Sequence, residues 1–226
     1  MAATKNKPSG QHRLKDIADI RNEYQLAALD EVTVGDDPIA FFTQWFIEAQ
    51  KAEIDEVNAM ALATCGADNI PHTRIVLLKG LELDEFVFYT NYNSSKGKDI
   101  EYNPNVSLLF FWKELERQVR IQGIATKISA EKSDEYFHSR PESSQVGAWA
   151  SPQSSVIPSR DTLDDNFLRL EKEYSGTRIP RPEHWGGYTV KPVSIEFWQG
   201  RISRLHDRIL FTRANNTDWN KVRLAP

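Results

Sequence analysis

The sequence predicts a mainly β fold with helices at its periphery, an antiparallel barrel built as a single domain. Three observations carry this. Short apolar runs follow one another between Asn58 and Ile128 with only turn-length gaps, which suits antiparallel neighbours and not alternating βαβ units. The last third returns to strand patterns after a helical stretch. No internal repeat or long linker divides the 226 residues, and 40% hydrophobic with 27% charged residues is ordinary for one soluble globular domain.

Residues 1–20 are expected to be disordered and 21–226 to form the domain. Met1–Gln11 is polar, rich in Lys, Pro, Ser and Gly, and lacks the apolar centre of a secretory signal. Asp36-Asp37-Pro38 opens a helix with an acidic cap and a proline in its first turn. Phe41, Phe42, Trp45, Phe46 and Ala49 then recur at helical spacing. Strands are expected at Ala59–Thr64, Thr73–Leu78, Phe86–Thr90, Val106–Trp112 and Arg117–Ile128, punctuated by Gly66, Asp68-Asn69 and Gly80. Ser94–Tyr102 reads as a short inserted helix, and residues 130–150 as two helical pieces broken at Pro141. Ser159–Tyr174 is amphipathic, with Leu163, Phe167, Leu170 and Tyr174 on one face and Gly176 beyond its end. Strands resume at Gly187–Phe197, Arg208–Arg213 and Trp219–Leu224.

Composition excludes several functions. A formal charge of −4 argues against a nucleic-acid binder, so any anion site must be a local cluster. One cysteine, Cys65, rules out a disulfide framework and a cysteine-built zinc site; in an apolar strand it reads as a buried structural thiol. No apolar run approaches a membrane span, and a cytoplasmic location is expected. Walker A, G-x-G-x-x-G, H-E-x-x-H and G-x-S-x-G patterns are all missing, and no metal site is expected.

Anion-binding groups recur instead. Phe197-Trp198-Gln199-Gly200-Arg201-Ile202-Ser203-Arg204-Leu205-His206-Asp207-Arg208 packs three arginines, a histidine and a tryptophan together. If extended, it places Arg204, His206 and Arg208 on one face. Guanidinium forks beside a broad aromatic suit a planar, anionic small molecule; an exposed charged hairpin is the plainer reading. Arg74 and Lys79 end an apolar run. In a regular strand they face opposite ways, so they can share a ligand only near a twist, bulge or edge. Ser94-Ser95-Lys96-Gly97-Lys98 starts a helix, where free N–H groups favour an anion. Tyr136 and Arg140 lie one helical turn apart, and Pro141 disfavours helix at Arg140, leaving Ser144 in the first turn of the next helix. Gln118 and Gln153 are unspecific hydrogen-bonding candidates.

Together these segments resemble the pyridoxine (pyridoxamine) 5′-phosphate oxidase family, from about Arg21 to Pro226. The resemblance rests on Arg21-Asn22-Glu23-Tyr24, Arg74–Lys79, Arg117-Gln118-Val119-Arg120, Tyr136–Arg140 with Ser143-Ser144, Gln153–Pro158, Trp185-Gly186-Gly187-Tyr188, Phe197–Arg208 and the terminal Arg223-Leu224-Ala225-Pro226. It implies an FMN-binding split barrel, a homodimer with FMN at the subunit interface, and oxidation of pyridoxamine 5′-phosphate or pyridoxine 5′-phosphate to pyridoxal 5′-phosphate, with O2 reduced to H2O2. By matched positions, FMN would be contacted by Arg74, Ile75, Val76, Leu77, Leu78, Lys79, Tyr89, Thr90, Lys96, Gln118, Gln153, Ser154, Trp198 and Arg208. Lys79, Tyr136, Arg140 and Ser144 would hold the substrate phosphate. Arg204 and His206 would sit over the substrate ring as catalytic residues, and Arg21 and Tyr24 would close the site. The family usually carries Arg before the lysine matched by Lys96, where this chain has Ser95; that puts cofactor affinity in doubt. The rivals are a split-barrel flavin or haem carrier without oxidase activity, which needs no second phosphate site, and a nucleic-acid module, which the acidic charge disfavours.

Overall fold

The computed structural model describes residues 23–215 and 218–226. The expected disordered segment 1–20 and Arg21 lie outside the described residues. The order of elements is α1 (Glu31–Val34), α2 (Pro38–Lys51), β1 (Ala59–Cys65), β2 (Pro71–Leu77), β3 (Gly80–Glu82), β4 (Glu85–Asn91), α3 (Ser95–Tyr102), β5 (Asn105–Trp112), β6 (Arg117–Lys127), α4 (Ala130–Ser139), α5 (Glu142–Ala150), α6 (Asp161–Glu173), β7 (Trp185–Gln199), β8 (Asp207–Arg213) and β9 (Trp219–Leu224). The expected strands and helices are all present, most shifted at their ends by one or two residues. Two short elements, α1 and β3, were not expected from the sequence; each is too short to show a period.

The strands form one antiparallel sheet in the order β2-β1-β5-β6-β7-β4-β3, with β8 on β7 and β9 on β8. The 15-residue β7 serves two flanks. Its first part, from Trp185 to Val190, pairs with β4, and its second, from Ser194 to Gln199, pairs with β8. The changeover falls at Lys191-Pro192-Val193, where β6 shifts register between Gln122 and Gly123. Proline cannot donate to a ladder. A Cβ on Gly123 would lie 2.6 Å from the Lys191 carbonyl oxygen, so only glycine allows the strands to meet there.

Helix α2 fills the concave side of the sheet. Asp37 caps it, accepting from the Ile39 and Ala40 amides. Its stripe of Phe41, Phe42, Trp45 and Ala49 is buried against Phe86, Phe110, Trp112 and Phe197. A smaller core gathers Phe137, Val146, Ala150, Leu170, Ile179 and Trp185, fixing α4, α5 and α6 beside the start of β7. Cys65 is half-buried at the end of β1, not the buried core thiol expected, because β1 pairs there only with the edge strand β2.

Candidate active site

A cleft of about 580 Å³ opens between edge strand β2, β4, the start of β7, and the first turns of α3 and α5. Among the described residues its lining carries four cations, Arg74, Lys79, Lys96 and Arg140, and no aspartate or glutamate. Arg74 reaches in from β2. Its Nη1 donates to Thr64 Oγ1 (2.6 Å) and to the His72 carbonyl (3.1 Å). Lys79 shares the cleft because β2 ends at Leu77, so strand alternation no longer dictates where it points. Lys96 lies in the first turn of α3, whose cap, Ser94 Oγ, accepts from the Gly97 amide. A Cβ on Gly97 would lie 2.0 Å from the Tyr92 carbonyl oxygen, so this tight entry requires glycine. Lys96 Nζ donates to Ser94 Oγ (3.3 Å) and Gln153 Oε1 (3.2 Å). Burial, then the charge of Arg74, pulls the Lys96 pKa down. An anion at this helix start would relieve both effects.

Part of the lining is aromatic. Tyr136 stacks on Tyr89 at 3.8 Å and 16°, and Tyr89 stacks on Trp185 at 5.5 Å and 12°. Burial, then the negative charge of Glu82, pushes Tyr89 up to about 12, so its hydroxyl stays protonated at neutral pH. Arg140 is the C-cap of α4, held extended (φ −78°, ψ 152°) just before Pro141. Its guanidinium carbon lies 4.6 Å from the Trp185 ring centre and 5.7 Å from that of Phe137. Arg140 Nη1 is buried and has no hydrogen-bond partner among the described residues. A buried cationic donor left unpaired is costly, and an anion is the acceptor that would best satisfy it. Burial depresses this guanidinium's pKa, with the Tyr136 phenol acting in the opposite direction; an arginine remains charged regardless.

A second constellation lies outside this cleft, on the outer face of the sheet and its end. Phe111, Gln118, Trp198, Arg208 and Leu224 form one cross-strand row. Arg208 Nε donates to Glu196 Oε1 (2.8 Å) and its Nη1 to the Ala225 carbonyl (2.9 Å); Glu196 also pairs with Arg120. Tyr24 packs edge-on against Trp198 (5.7 Å) and His206 (5.9 Å), and Trp198 lies 4.6 Å from His206. His206 Nδ1 accepts from the Arg201 amide (3.1 Å), which leaves Nε2 to carry the proton of the neutral ring. Burial, then the Arg204 charge, lowers its pKa.

The segment before β8 is not extended. Ile202–Arg204 forms a 3₁₀ turn with Ser203 at φ 55° and Arg204 at φ 61°. Strand alternation therefore does not place Arg204 on one face with His206 and Arg208, and Arg204 is exposed. The cause is local. The Gly200 amide bonds to the Glu116 carbonyl, Tyr24 occupies the space a Cβ at Gly200 would need, and the Arg201–His206 bond closes the turn.

A family model described as pyridoxamine 5′-phosphate oxidase matches residues 46–173, and one described as the pyridoxine 5′-phosphate oxidase C-terminal dimerisation region matches residues 185–226. The chain belongs to the pyridoxamine 5′-phosphate oxidase family. It is 55% identical over 210 residues to the pyridoxine/pyridoxamine 5′-phosphate oxidase of Leptospira interrogans, covering 93% of this chain and 98% of that one. To the enzyme of that name from Salinibacter ruber it is 53% identical over 215 residues, covering 94% and 100%. Among solved structures it resembles PhzG from Burkholderia lata, in complex with tetrahydrophenazine-1-carboxylic acid, with a TM-score of 0.84 and 26% identity over 91% of this chain and 100% of that one. A protein from Nostoc punctiforme described as pyridoxamine 5′-phosphate oxidase-related and FMN binding shares the fold at a TM-score of 0.68 and 16% identity over 85% of this chain and 100% of that one.

The residues that the family resemblance selects thus fall into two groups. Arg74, Ile75, Val76, Leu77, Lys79, Tyr89, Thr90, Lys96, Tyr136, Arg140, Ser144 and Gln153 line the cleft. Gln118, Trp198, Arg204, His206, Arg208 and Tyr24 do not. Leu78 is buried in the main core. Ser154 sits exposed at φ 69°, beside Gln153 but off the lining. Ser95 is exposed at the first position of α3. Asn91, Gly147, Ala148, Ser151 and Trp185 line the cleft without having been singled out as ligands. For Trp185 the signal was its adjoining Gly186-Gly187, since a Cβ on Gly186 would lie 2.2 Å from the Tyr92 hydroxyl.

Proposed function

We propose that this oxidase binds FMN and oxidises pyridoxamine 5′-phosphate and pyridoxine 5′-phosphate to pyridoxal 5′-phosphate, with O2 leaving as H2O2. The observation that carries the reading is a cleft that, among the described residues, has four cations and no carboxylate and holds one buried, unpartnered guanidinium nitrogen. Two phosphorylated planar molecules need two anion seats and stacking surface. Arg74, Lys96 and the start of α3 make the seat for the FMN phosphate. Lys79, Tyr136, Arg140 and Ser144 make the seat for the substrate phosphate. FMN supplies the two-electron chemistry when bound. Oxidation of the C4′ alcohol removes two electrons and two protons; the amine also consumes water and releases ammonia.

The remaining groups complete the site from a second copy of the chain. The outer face of the sheet presents Ile75, Ala61, Leu109, Arg120, Glu196, Leu210 and Val222 in one cross-strand row. Next to it runs the row of Phe111, Gln118, Trp198 and Arg208. Ile75 is 66% and Phe111 53% exposed, an apolar surface that a C2 homodimer would cover. In that dimer the partner's copies of Gln118, Trp198 and Arg208 meet the flavin. Arg204 and His206 orient the substrate ring, His206 as a neutral imidazole whose Nε2–H can donate, and Tyr24 covers them. Anaerobic addition of pyridoxine 5′-phosphate to the yellow holoenzyme should bleach the flavin absorbance, and air should restore it. A colourless protein, or a flavin that the substrate leaves oxidised, would refute the reading.

A further inference from the structure

Asp99 does not line the cleft, yet it ties two of the cleft's cations together. We propose that Asp99 is a positioning residue that fixes Arg74 relative to Lys96 and so sets affinity for the flavin phosphate. This rests on the assignment of that end of the cleft to FMN. Asp99 lies three residues after Lys96 on α3, on a neighbouring position of the helix surface, and is only 8% exposed. Its Oδ2 accepts from Thr64 Oγ1 on β1 (2.6 Å), lies 3.0 Å from His72 Nδ1 on β2, and stands 3.7 Å from Arg74 Nη2. Thr64 Oγ1 in turn accepts from Arg74 Nη1 at 2.6 Å. One carboxylate therefore joins the helix that carries Lys96 to the strand that carries Arg74. Its other oxygen occupies the space a side chain at Gly66 would need: a Cβ there would lie 2.6 Å from Oδ1.

The carboxyl stays ionised. Burial alone would raise its pKa, but hydrogen bonds from Thr64 and His72, with the charges of His72 and Arg74, hold it below the usual range. Arg74 and Lys96 repel one another, and an anion between β2 and α3 lets them stand side by side before any phosphate arrives. Such pre-organisation is worth most where the ligand's own charge must be met without rearrangement.

Positioning by Asp99 and simple Coulomb repulsion act on FMN affinity with opposite signs. A fixed anion near a phosphate seat repels phosphate, so its neutralisation should tighten binding if charge alone matters. Positioning requires that neutralisation weaken it. The test titrates apo-protein with FMN and, separately, with riboflavin, which has no phosphate, for wild type, Asp99→Asn and Thr64→Val. FMN should bind about tenfold or more weakly to Asp99→Asn and less severely weakly to Thr64→Val, the scale of a lost charge-assisted hydrogen bond. Riboflavin should bind all three alike. Unchanged or tighter FMN binding in the variants overturns the proposal. Equal weakening of FMN and riboflavin also overturns it, since that marks general loosening of the fold. If Asp99→Asn does not fold, Thr64→Val decides by the same criteria. A wild-type protein with no preference for FMN over riboflavin would instead refute the cofactor assignment, and the proposal with it.

Discussion

Replacing Arg140 by alanine separates a ligand-binding arginine from a structural one. In the free protein its guanidinium has a buried Nη1 without a partner among the described residues and is held by stacking on Trp185 and Phe137. Truncation removes a cation–π contact worth about 0.5–2 kcal/mol. It also removes an unsatisfied buried donor that costs about 1–3 kcal/mol. The two nearly cancel, so the stability of the free protein should change by no more than about 1 kcal/mol. The phosphorylated substrate loses a charge-assisted hydrogen bond, on the order of 1.5–3 kcal/mol, or roughly 10- to 150-fold in kcat/KM. That loss should appear mainly in KM, because the phosphate is remote from the reacting carbon and is held alike in ground and transition states. The assay is steady-state oxidation of pyridoxine 5′-phosphate at saturating FMN, beside thermal unfolding of the apo-protein and the flavin content as purified. A variant that keeps its KM, or that emerges colourless, would show that Arg140 does not hold the substrate phosphate.

Two further outcomes follow from local geometry. Gly97→Ala forces a Cβ against the Tyr92 carbonyl, a backbone atom that cannot swing aside; it should cost about 1–3 kcal/mol and lower FMN affinity, measured by thermal melts and apo-protein titration, and a neutral result would show that the start of α3 is looser than described. Glu31 pairs with Arg223 through both carboxylate oxygens, and this pairing holds its pKa down to about 2 from 4.5; the folded value is depressed, so the contribution is fully present above about pH 4.5 and lost as pH falls towards 2. The melting temperatures of wild type and Glu31→Gln should accordingly differ at neutral pH and converge in acid, and a gap that stays constant down to pH 2 would contradict the pairing.

Much of the fold was legible because its elements obey simple periods. The α2 stripe, the cap at Asp37 and the break at Pro141 are local signals, and the chain follows them. Where tertiary contacts overrule local pattern, the sequence misleads. Arg201–His206 has the alternation of a strand, but Tyr24, Glu116 and the His206 ring fold it into a turn that turns Arg204 outward. Cys65 has an apolar neighbourhood in sequence, yet lies where its strand has only an edge neighbour. The four cleft cations are spread over 67 positions from Arg74 to Arg140, and nothing local says that they converge. Family resemblance grouped them, and the geometry explains the grouping: β2 ends before Lys79, and α4 ends at Arg140. The same resemblance set Gln118, Trp198, Arg204, His206 and Arg208 beside them, whereas within one chain they stand apart on the outer sheet face and its end. That division is legible only from the fold.

The division also sets the decisive measurement. If each site takes Arg140 from one chain and Arg204 from its partner, two impaired variants should rescue one another. Arg140→Ala and Arg204→Ala chains, each strongly impaired in kcat/KM, are co-expressed or refolded together and assayed at substrate concentrations well below KM. Random pairing makes half the dimers mixed, each with one intact site and one doubly impaired site, so activity should return to about a quarter of wild type. A mixture no more active than the two variants measured separately would mean that Arg140 and Arg204 act within one chain, and the shared-site account would be wrong.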